Sequence, residues 1–439
     1  FAITQKDEIK EVSNNLLSAL IVTLSNDQSC DYINAIQNIV NNISEIGEIF
    51  DNIYEVLNSL IKSNDISLMH GSINCICSLV KHSPNRARYN FDRILELMIG
   101  IISDQEGQYE ELKANAINCL SFLIESSTKL FIRILPSFIK FIVSNLNTKN
   151  QDSNILFESL CAYGHLLQNF PSEVSETVQE VMGILIQIGS QDIEIPEEND
   201  ENIFMGDVVD IDEQVNNIIN VITSAIRISC CVLSTYPQLI PELIGRCFEM
   251  IKKQVSVCDS DIVVECSQSC KFLVEGIVKL GYSEQTKPYL VEIIKIVTDI
   301  VSSDNSGSDA SGIGFDVISD IIAGDEVIGL QSFFESKDRI FEAIDNVFQG
   351  KMLYQEGKLK YDEKLHIPAL RVIREIMAAM KVDSIPLLLR FVPLMNGLVG
   401  HKKNEMKDLA LQFFGDFVFW ASEGLDNEMK SNLFTLAVD

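Results

Sequence analysis

Eleven cysteines, five histidines and one dense run of carboxylates are the residues of this chain whose types permit chemistry. The cysteines are Cys30, Cys75, Cys77, Cys119, Cys161, Cys230, Cys231, Cys247, Cys258, Cys266 and Cys270. Cys266 and Cys270 stand four apart, on one face of a helix, but zinc requires two further ligands beside them. The histidines, His70, His82, His165, His366 and His401, form no pair at ligand spacing. An odd number of cysteines scattered through apolar stretches of a 439-residue chain is not a secreted disulfide framework. It reads as reduced core thiols of a cytosolic or nuclear protein. The carboxylates crowd into Asp192, Glu194, Glu197, Glu198, Asp200 and Glu201, followed by Asp207, Asp210, Asp212 and Glu213. Paired carboxylates act as acid and base when their surroundings pull their pKa values apart, and a solvated charge run lacks such surroundings. No nucleophile elbow, kinase motif, zinc-protease helix or dinucleotide fingerprint occurs, and Ser311–Gly314 lacks the Lys-Ser/Thr and the strand of a phosphate loop. The chain is therefore expected to be no enzyme, with no metal and no cofactor.

Net charge is −29. Direct nucleic-acid binding needs clustered Lys and Arg and is not expected. The 77 residues 150–226 contain neither Lys nor Arg. Residues 191–212 within them read as an acidic loop insertion, solvated and mobile. The best apolar run, Leu16–Leu24, falls short of the ~20 residues a bilayer requires, so no membrane insertion is expected. Phe1 in place of an initiator methionine reads as the edge of a fragment.

Apolar residues recur at three- and four-residue steps almost throughout, and alternation of the β kind is scarce. The pattern predicts helices over 6–24, 29–43, 46–62, 65–82, 86–102, 109–125, 128–147, 152–169 and 173–190. They resume over 213–235, 239–254, 259–280, 285–302, 315–323, 327–349, 362–381, 384–399, 403–422 and 425–437. Pro136, Pro241, Pro288 and Pro386 each open a helix, where a missing N–H forfeits nothing. Tracking the same apolar register without proline gives positions 51, 92, 136, 176, 241, 288, 338 and 386. The steps run from 40 to 50 residues, apart from 176 to 241, which holds the acidic stretch. This is the period of helical-hairpin repeats, each of which buries its apolar face only by stacking on neighbours. The expected fold is all-α: an α-α superhelix, a HEAT-repeat solenoid (ARM-like) continuous over 1–439, with about eight to ten hairpins. Ser302–Gly312 reads as a polar Ser/Gly linker within it.

Four places carry a family resemblance. Gly71 with Asn74 and Cys75, inside Leu68–Leu79, is one. Ala114–Leu123 followed by the Leu-Pro opening of Ile134–Ile139 is the second. Phe204, Gly206 and Asp207 after the acidic run form the third, and Ala410–Asp416 the fourth. In order and spacing, from roughly 65 to 420, the chain resembles the importin-β superfamily of nuclear transport receptors (karyopherins). It is most similar to the central and C-terminal repeats of the importin-five type, which imports ribosomal proteins and histones. The resemblance implies binding of basic protein cargo, contact with Phe-Gly nucleoporins, release by Ran-GTP, and shuttling between cytoplasm and nucleus as a monomer. The main Ran and Phe-Gly sites of the family lie nearer the N-terminus, outside this chain. Lys- and Arg-rich cargo calls for acidic residues on the second helix of each hairpin. The candidates are Glu96, Glu180, Glu242, Glu249 and Glu292, with Glu197, Glu198, Asp200 and Glu201 of the acidic loop. Trp420, Phe413 and Phe414 read as core. Another HEAT scaffold, such as a phosphatase regulatory, vesicle-coat or chromosome-organising subunit, is the alternative, and a solenoid parted from a catalytic domain is a third.

Overall fold

The computed structural model describes residues 2–431 except 44–45, 64, 104–109, 150, 193–206, 258, 304–306, 350–353, 356–357, 360–362, 402–403, 421–425 and 429–430. Helices follow one another along the chain. They are α1 (Ala2–Asn26), α2 (Cys30–Asn42), α3 (Ile49–Ile61), α4 (Ile66–His82), α5 (Pro84–Tyr89), α6 (Phe91–Ser103), α7 (Glu110–Ser126) and α8 (Thr128–Phe131). Then come α9 (Leu135–Asn147), α10 (Ser153–Asn169), α11 (Pro171–Val174), α12 (Val178–Gly189), α13 (Asp207–Thr235), α14 (Ile240–Val255), α15 (Ser260–Leu280) and α16 (Lys287–Val301). The last are α17 (Gly307–Gly324), α18 (Ile328–Phe334), α19 (Lys337–Phe348), α20 (His366–Met380), α21 (Ile385–Leu388), α22 (Val392–Val399) and α23 (Asn404–Trp420). The only strands among the described residues, β1 (Tyr354–Gln355) and β2 (Lys358–Leu359), pair antiparallel before α20.

Two units divide the chain: residues 1–184 with 195–224, and residues 185–194 with 225–439. Both are built alike. In the first, α2, α4, α7 and α10 pack in series as one layer of A helices. In the second, α15, α17, α20 and α23 do the same. The B helices α3, α6, α9, α12, α14, α16, α19 and α22 complete the hairpins.

The two kinds of helix begin differently. A helices start on side-chain caps: Ser29 accepts from Asp31 N–H, Asp65 from Leu68, Asp152 from Asn154 and Ile155, and Asp259 from Asp261 and Ile262. Each cap contributes ~1 kcal/mol by satisfying an orphan donor. B helices α9, α14 and α16, and the short α21 that leads into α22, start on proline instead. One small residue recurs at the same register of the A helices α4, α7, α10, α13, α15, α17 and α20: Ser72, Ala116, Ser159, Ala225, Cys266, Ala310 and Ala369, all fully buried. A short side chain there lets neighbouring helix backbones approach closely, and larger apolar residues on either side fill the flanks.

Several expectations need correction. The helices read over 86–102, 128–147, 327–349 and 384–399 are each broken, because the turn between A and B needs a short helix of its own. Asn90 marks the first break: its side chain donates to Asp51 Oδ1 at 2.8 Å, and its N–H bonds Arg86 O. Pro393 starts α22 after a 3₁₀ turn. Of the expected linker 302–312, residues 307–312 are the opening turns of α17, with Ala310 and Ser311 fully buried. Ser267 Oγ donates to Ala310 O at 3.1 Å, tying that turn to α15. Residues 207–212, expected in the acidic loop, open α13. Val215–Thr235 is long and apolar enough to cross a bilayer, contrary to the expectation that the best apolar run is Leu16–Leu24. It is a core helix, with Val221, Ile222, Ala225 and Ile226 buried. Phe413 and Phe414 are core as expected. The side chain of Trp420, and nearly all of the helix expected over 425–437, lie outside the described residues.

Candidate functional site

Among the described residues the buried thiols offer no reactive centre. Among the described residues no three His, Cys, Asp or Glu side chains gather as a metal site. Burial pushes Cys75 and Cys270 up to about 12. Cys77 and Cys230 are raised first by hydrogen bonds to Cys119 and Cys247, then by burial. Protonated, buried thiols are neither nucleophiles nor ligands.

The B helices carry the regular feature. Four residues after the proline-equivalent position stand Glu55, Glu96, Lys140, Glu180, Gly245, Glu292, Glu342 and Arg390. Glu recurs five times at one register, on the face turned away from the buried apolar stripe. Seven residues further along the helix, two repeats present a donor to that register of the next, and a third places a lysine beside it. Asn147 Nδ2 donates to Glu180 Oε1 at 2.9 Å, Lys252 Nζ reaches Glu292 at 2.5 Å, and Lys62 lines the same cleft as Glu96. Reversed pairs join Arg93 to Glu55, Arg339 to Asp299 at 2.8 Å, and Arg390 to Asp345. Exposed pairs of this kind contribute under ~1 kcal/mol each, so the ladder fixes the spacing of neighbouring repeats more than it stabilises them.

The five candidates on the B helices fall into two groups. Glu96, Glu180 and Glu242 are exposed, and Glu180 accepts from the neutral Asn147 amide. Glu249 and Glu292 flank Lys252, at 3.2 and 2.5 Å. The hydrogen bond that Lys252 donates to Glu292 raises its ammonium, with burial opposing and Glu249 adding to the rise. Glu197, Glu198, Asp200 and Glu201 lie outside the described residues.

Glu96 lies at a cleft of about 500 Å³ between α3 and α6. Tyr54, Ile61 and Leu97 form its apolar wall, and Asn58, Lys62 and Arg93 its polar rim. Tyr54 OH donates to Arg93 O at 3.1 Å, and the Arg93 guanidinium lies 5.0 Å over the Tyr54 ring. Burial raises Tyr54 to about 12 against the pull of Arg93, so it stays a neutral donor. Gly100 opens the cleft: a Cβ there would meet nothing within 4 Å. Such a cleft takes the methylene stem of a long basic side chain along Leu97, with its charge at Glu96.

The start of the acidic segment is held by α14. Gln254, fully buried, donates to Gly189 O at 2.9 Å and Gln191 O at 2.8 Å. Lys253 Nζ donates to Ser190 O and pairs with Asp192, both at 2.7 Å. A Cβ at Gly189 would stand 2.5 Å from Met250 Sδ, so the backbone must pass this close to α14. Replacing Gln254 by Leu strands two carbonyls. It is expected to cost about 2 kcal/mol and to raise hydrogen exchange at Gly189–Asp192 above that of α16. Unchanged exchange there would show that Lys253 alone suffices.

Sequence reasoning missed the ladder, although its signal is present: Glu at a constant offset from the proline position, and a donor seven residues later. It also missed the carboxylates of the A layer. Arg227 pairs with Glu265, and Arg371 spans Asp316 and Asp320 at 3.0 and 2.6 Å. His70 meets Glu111 at 3.1 Å, and His165 meets Glu125 at 2.9 Å.

This geometry, tight hairpins stacked through small A-helix residues and joined by a B-helix ladder, is that of a HEAT-repeat solenoid. No family model and no curated protein sequence matches the chain. Solved structures do. The karyopherin Kap121p bound to the SUMO protease Ulp1p matches 98% of this chain and 46% of its own, at 12% identity and a TM-score of 0.58. The Kap95:Nup1 complex matches 98% and 53%, at 15% identity and 0.52, and Kap95p with RanGDP does so at 15% and 0.51. The chain shares the all-α superhelical fold of these karyopherins. The chain spans about half the length of these karyopherins.

Proposed function

We propose that the chain is part of a nuclear transport receptor, a karyopherin, that binds basic protein cargo such as ribosomal proteins or histones along its B helices. The observation that carries this is the exposed glutamate repeated at one register of the B helices, in a protein of net charge −29. Carboxylates spaced at the repeat interval match a Lys- and Arg-rich segment laid across successive hairpins, and the field of the whole chain steers it there. The fold supports the reading: karyopherins with it are seen bound to Ulp1p, Nup1 and RanGDP. In this reading Ran-GTP releases the cargo, Phe-Gly nucleoporins carry the receptor through the pore, and a monomer shuttles between cytoplasm and nucleus. Glu96, Glu180 and Glu242 are the leading cargo contacts. Glu249 and Glu292 exchange Lys252 for a cargo cation, and Glu197, Glu198, Asp200 and Glu201 attract cargo at longer range.

The test is fluorescence anisotropy with Lys/Arg-rich segments of ribosomal proteins and histones, against scrambled and neutral peptides. Binding is expected to saturate, to depend on sequence and to weaken with salt. Glu96→Lys combined with Glu180→Lys should raise Kd about tenfold, and Gly100→Leu, which fills the cleft without touching a charge, about threefold. Equal binding of scrambled peptide would reduce the surface to nonspecific attraction.

A further inference from the structure

The common register of the A helices sets two carboxylates side by side for comparison. Glu158 on α10 and Glu265 on α15 each stand one residue before the small buried residue of their helix, Ser159 and Cys266. Two residues after the corresponding small residue of the preceding A helix, α13 has Arg227 and α7 has Asn118. Arg227 covers Glu265: its Nε donates to Oε2 at 3.0 Å and a terminal nitrogen closes on the same oxygen, leaving the Glu265 side chain 7% exposed. Asn118 offers no cation. Glu158 has no hydrogen bond or ion pair among the described residues, and burial alone raises its carboxyl to about 7. Its own helix and the hairpin around it supply nothing, because residues 150–226 contain neither Lys nor Arg. Its charge is felt on α4, where it adds to the rise of the Cys77 thiol caused first by Cys119 and by burial. One repeat thus shows the filled form of a carboxylate position that another repeat leaves half-buried and without its cation.

We propose that Glu158 is a docking socket for an arginine or lysine side chain of a basic protein partner, received between α7 and α10 as Arg227 is received beside Glu265. The proposal rests on the basic-partner reading above and adds to it a contact on the A layer. Arriving in the socket, a guanidinium restores the charge-assisted pair that the Asn118 position denies.

The test uses the whole chain with fluorescent oligoarginine and oligolysine peptides. Wild type is expected to bind both saturably. Glu158→Gln removes the charge and relieves a buried carboxylate, so the variant should fold at least as well and bind about tenfold more weakly. Asn118→Arg supplies the missing cation from α7. It should raise the thermal midpoint and weaken peptide binding by a similar factor, because the socket is then filled from within. Binding by Glu158→Gln within about twofold of wild type, with loss confined to Glu96→Lys and Glu180→Lys, would overturn the socket and leave the basic-partner reading standing. Failure of folded wild type to bind either peptide would overturn both.

Discussion

Arg227→Leu is expected to destabilise the second unit by about 3 kcal/mol, far more than the reciprocal Glu265→Leu. The pair joins unequal partners: the Arg227 side chain is 54% exposed, the Glu265 side chain 7%. Removing the arginine leaves a carboxylate in the protein with only Ser269 Oγ near it, at 3.5 Å. Stranding one member of a buried pair costs ~3–5 kcal/mol, because the remaining charge keeps its desolvation and loses its compensation. Removing the glutamate instead leaves an arginine whose side chain is already half exposed, so Glu265→Leu should cost under about 1 kcal/mol. The double variant should recover most of the loss, since an apolar pair of similar volume is nearly neutral in such a place. Solenoids need not unfold in one step. The measurement is therefore native-state hydrogen exchange of α13 and α15, set beside urea denaturation followed by circular dichroism. Equal losses for the two single variants would mean that the guanidinium matters through packing and not through the charge it covers.

Much of this architecture is written in the chain at short range. The proline-equivalent positions 92, 136, 241, 288, 338 and 386 each fall on the second residue of a B helix, in α6, α9, α14, α16, α19 and α21. Proline and apolar periodicity are local signals, and local signals survive without knowledge of neighbours. Where the first turn is irregular the register slips: position 176 lies in a 3₁₀ turn before α12, and position 51 is the third residue of α3. Gly307–Gly312 misled for a related reason. Small polar residues usually mark solvated linkers, but an A helix wants a small residue where it crosses its neighbour, and Ala310 and Ser311 meet that need.

The candidate site was legible in kind and not in detail. Composition and repeat register point to acidic B helices. Whether a particular glutamate stands free depends on a partner one repeat away: Asn147 for Glu180, Lys252 for Glu292, Arg227 for Glu265. Separations of 33, 40 and 38 residues carry no local pattern, and only the stacked hairpins bring the pairs together. The same limit hid Glu158, whose distinguishing feature is a cation missing from the neighbouring helix.

Gly329→Ala tests the packing itself. Gly329 lies in α18 against the last turns of α17, where a Cβ would stand 2.1 Å from Ile321 O, 3.0 Å from Ile321 C and 3.4 Å from Ile322 Cα. All three atoms belong to backbone, so no rotamer change relieves the contact, and α18 must move away from α17. The expected loss is about 3 kcal/mol, the upper part of the range for overpacking. Gly397, inside α22, has open space where its Cβ would be. There the same substitution removes only the glycine's excess freedom in the unfolded chain, and Gly397→Ala should gain ~0.5–1 kcal/mol. Opposite signs from one chemical change would assign the effect to the approach of α18 on α17 and not to helix propensity, which favours alanine at both positions. The check is again hydrogen exchange, read on α17 and α19 for the first variant and on α22 and α23 for the second. If Gly329→Ala proves neutral, the turn joining A to B in this hairpin yields readily enough to relieve the backbone contact, and that contact does not limit stability.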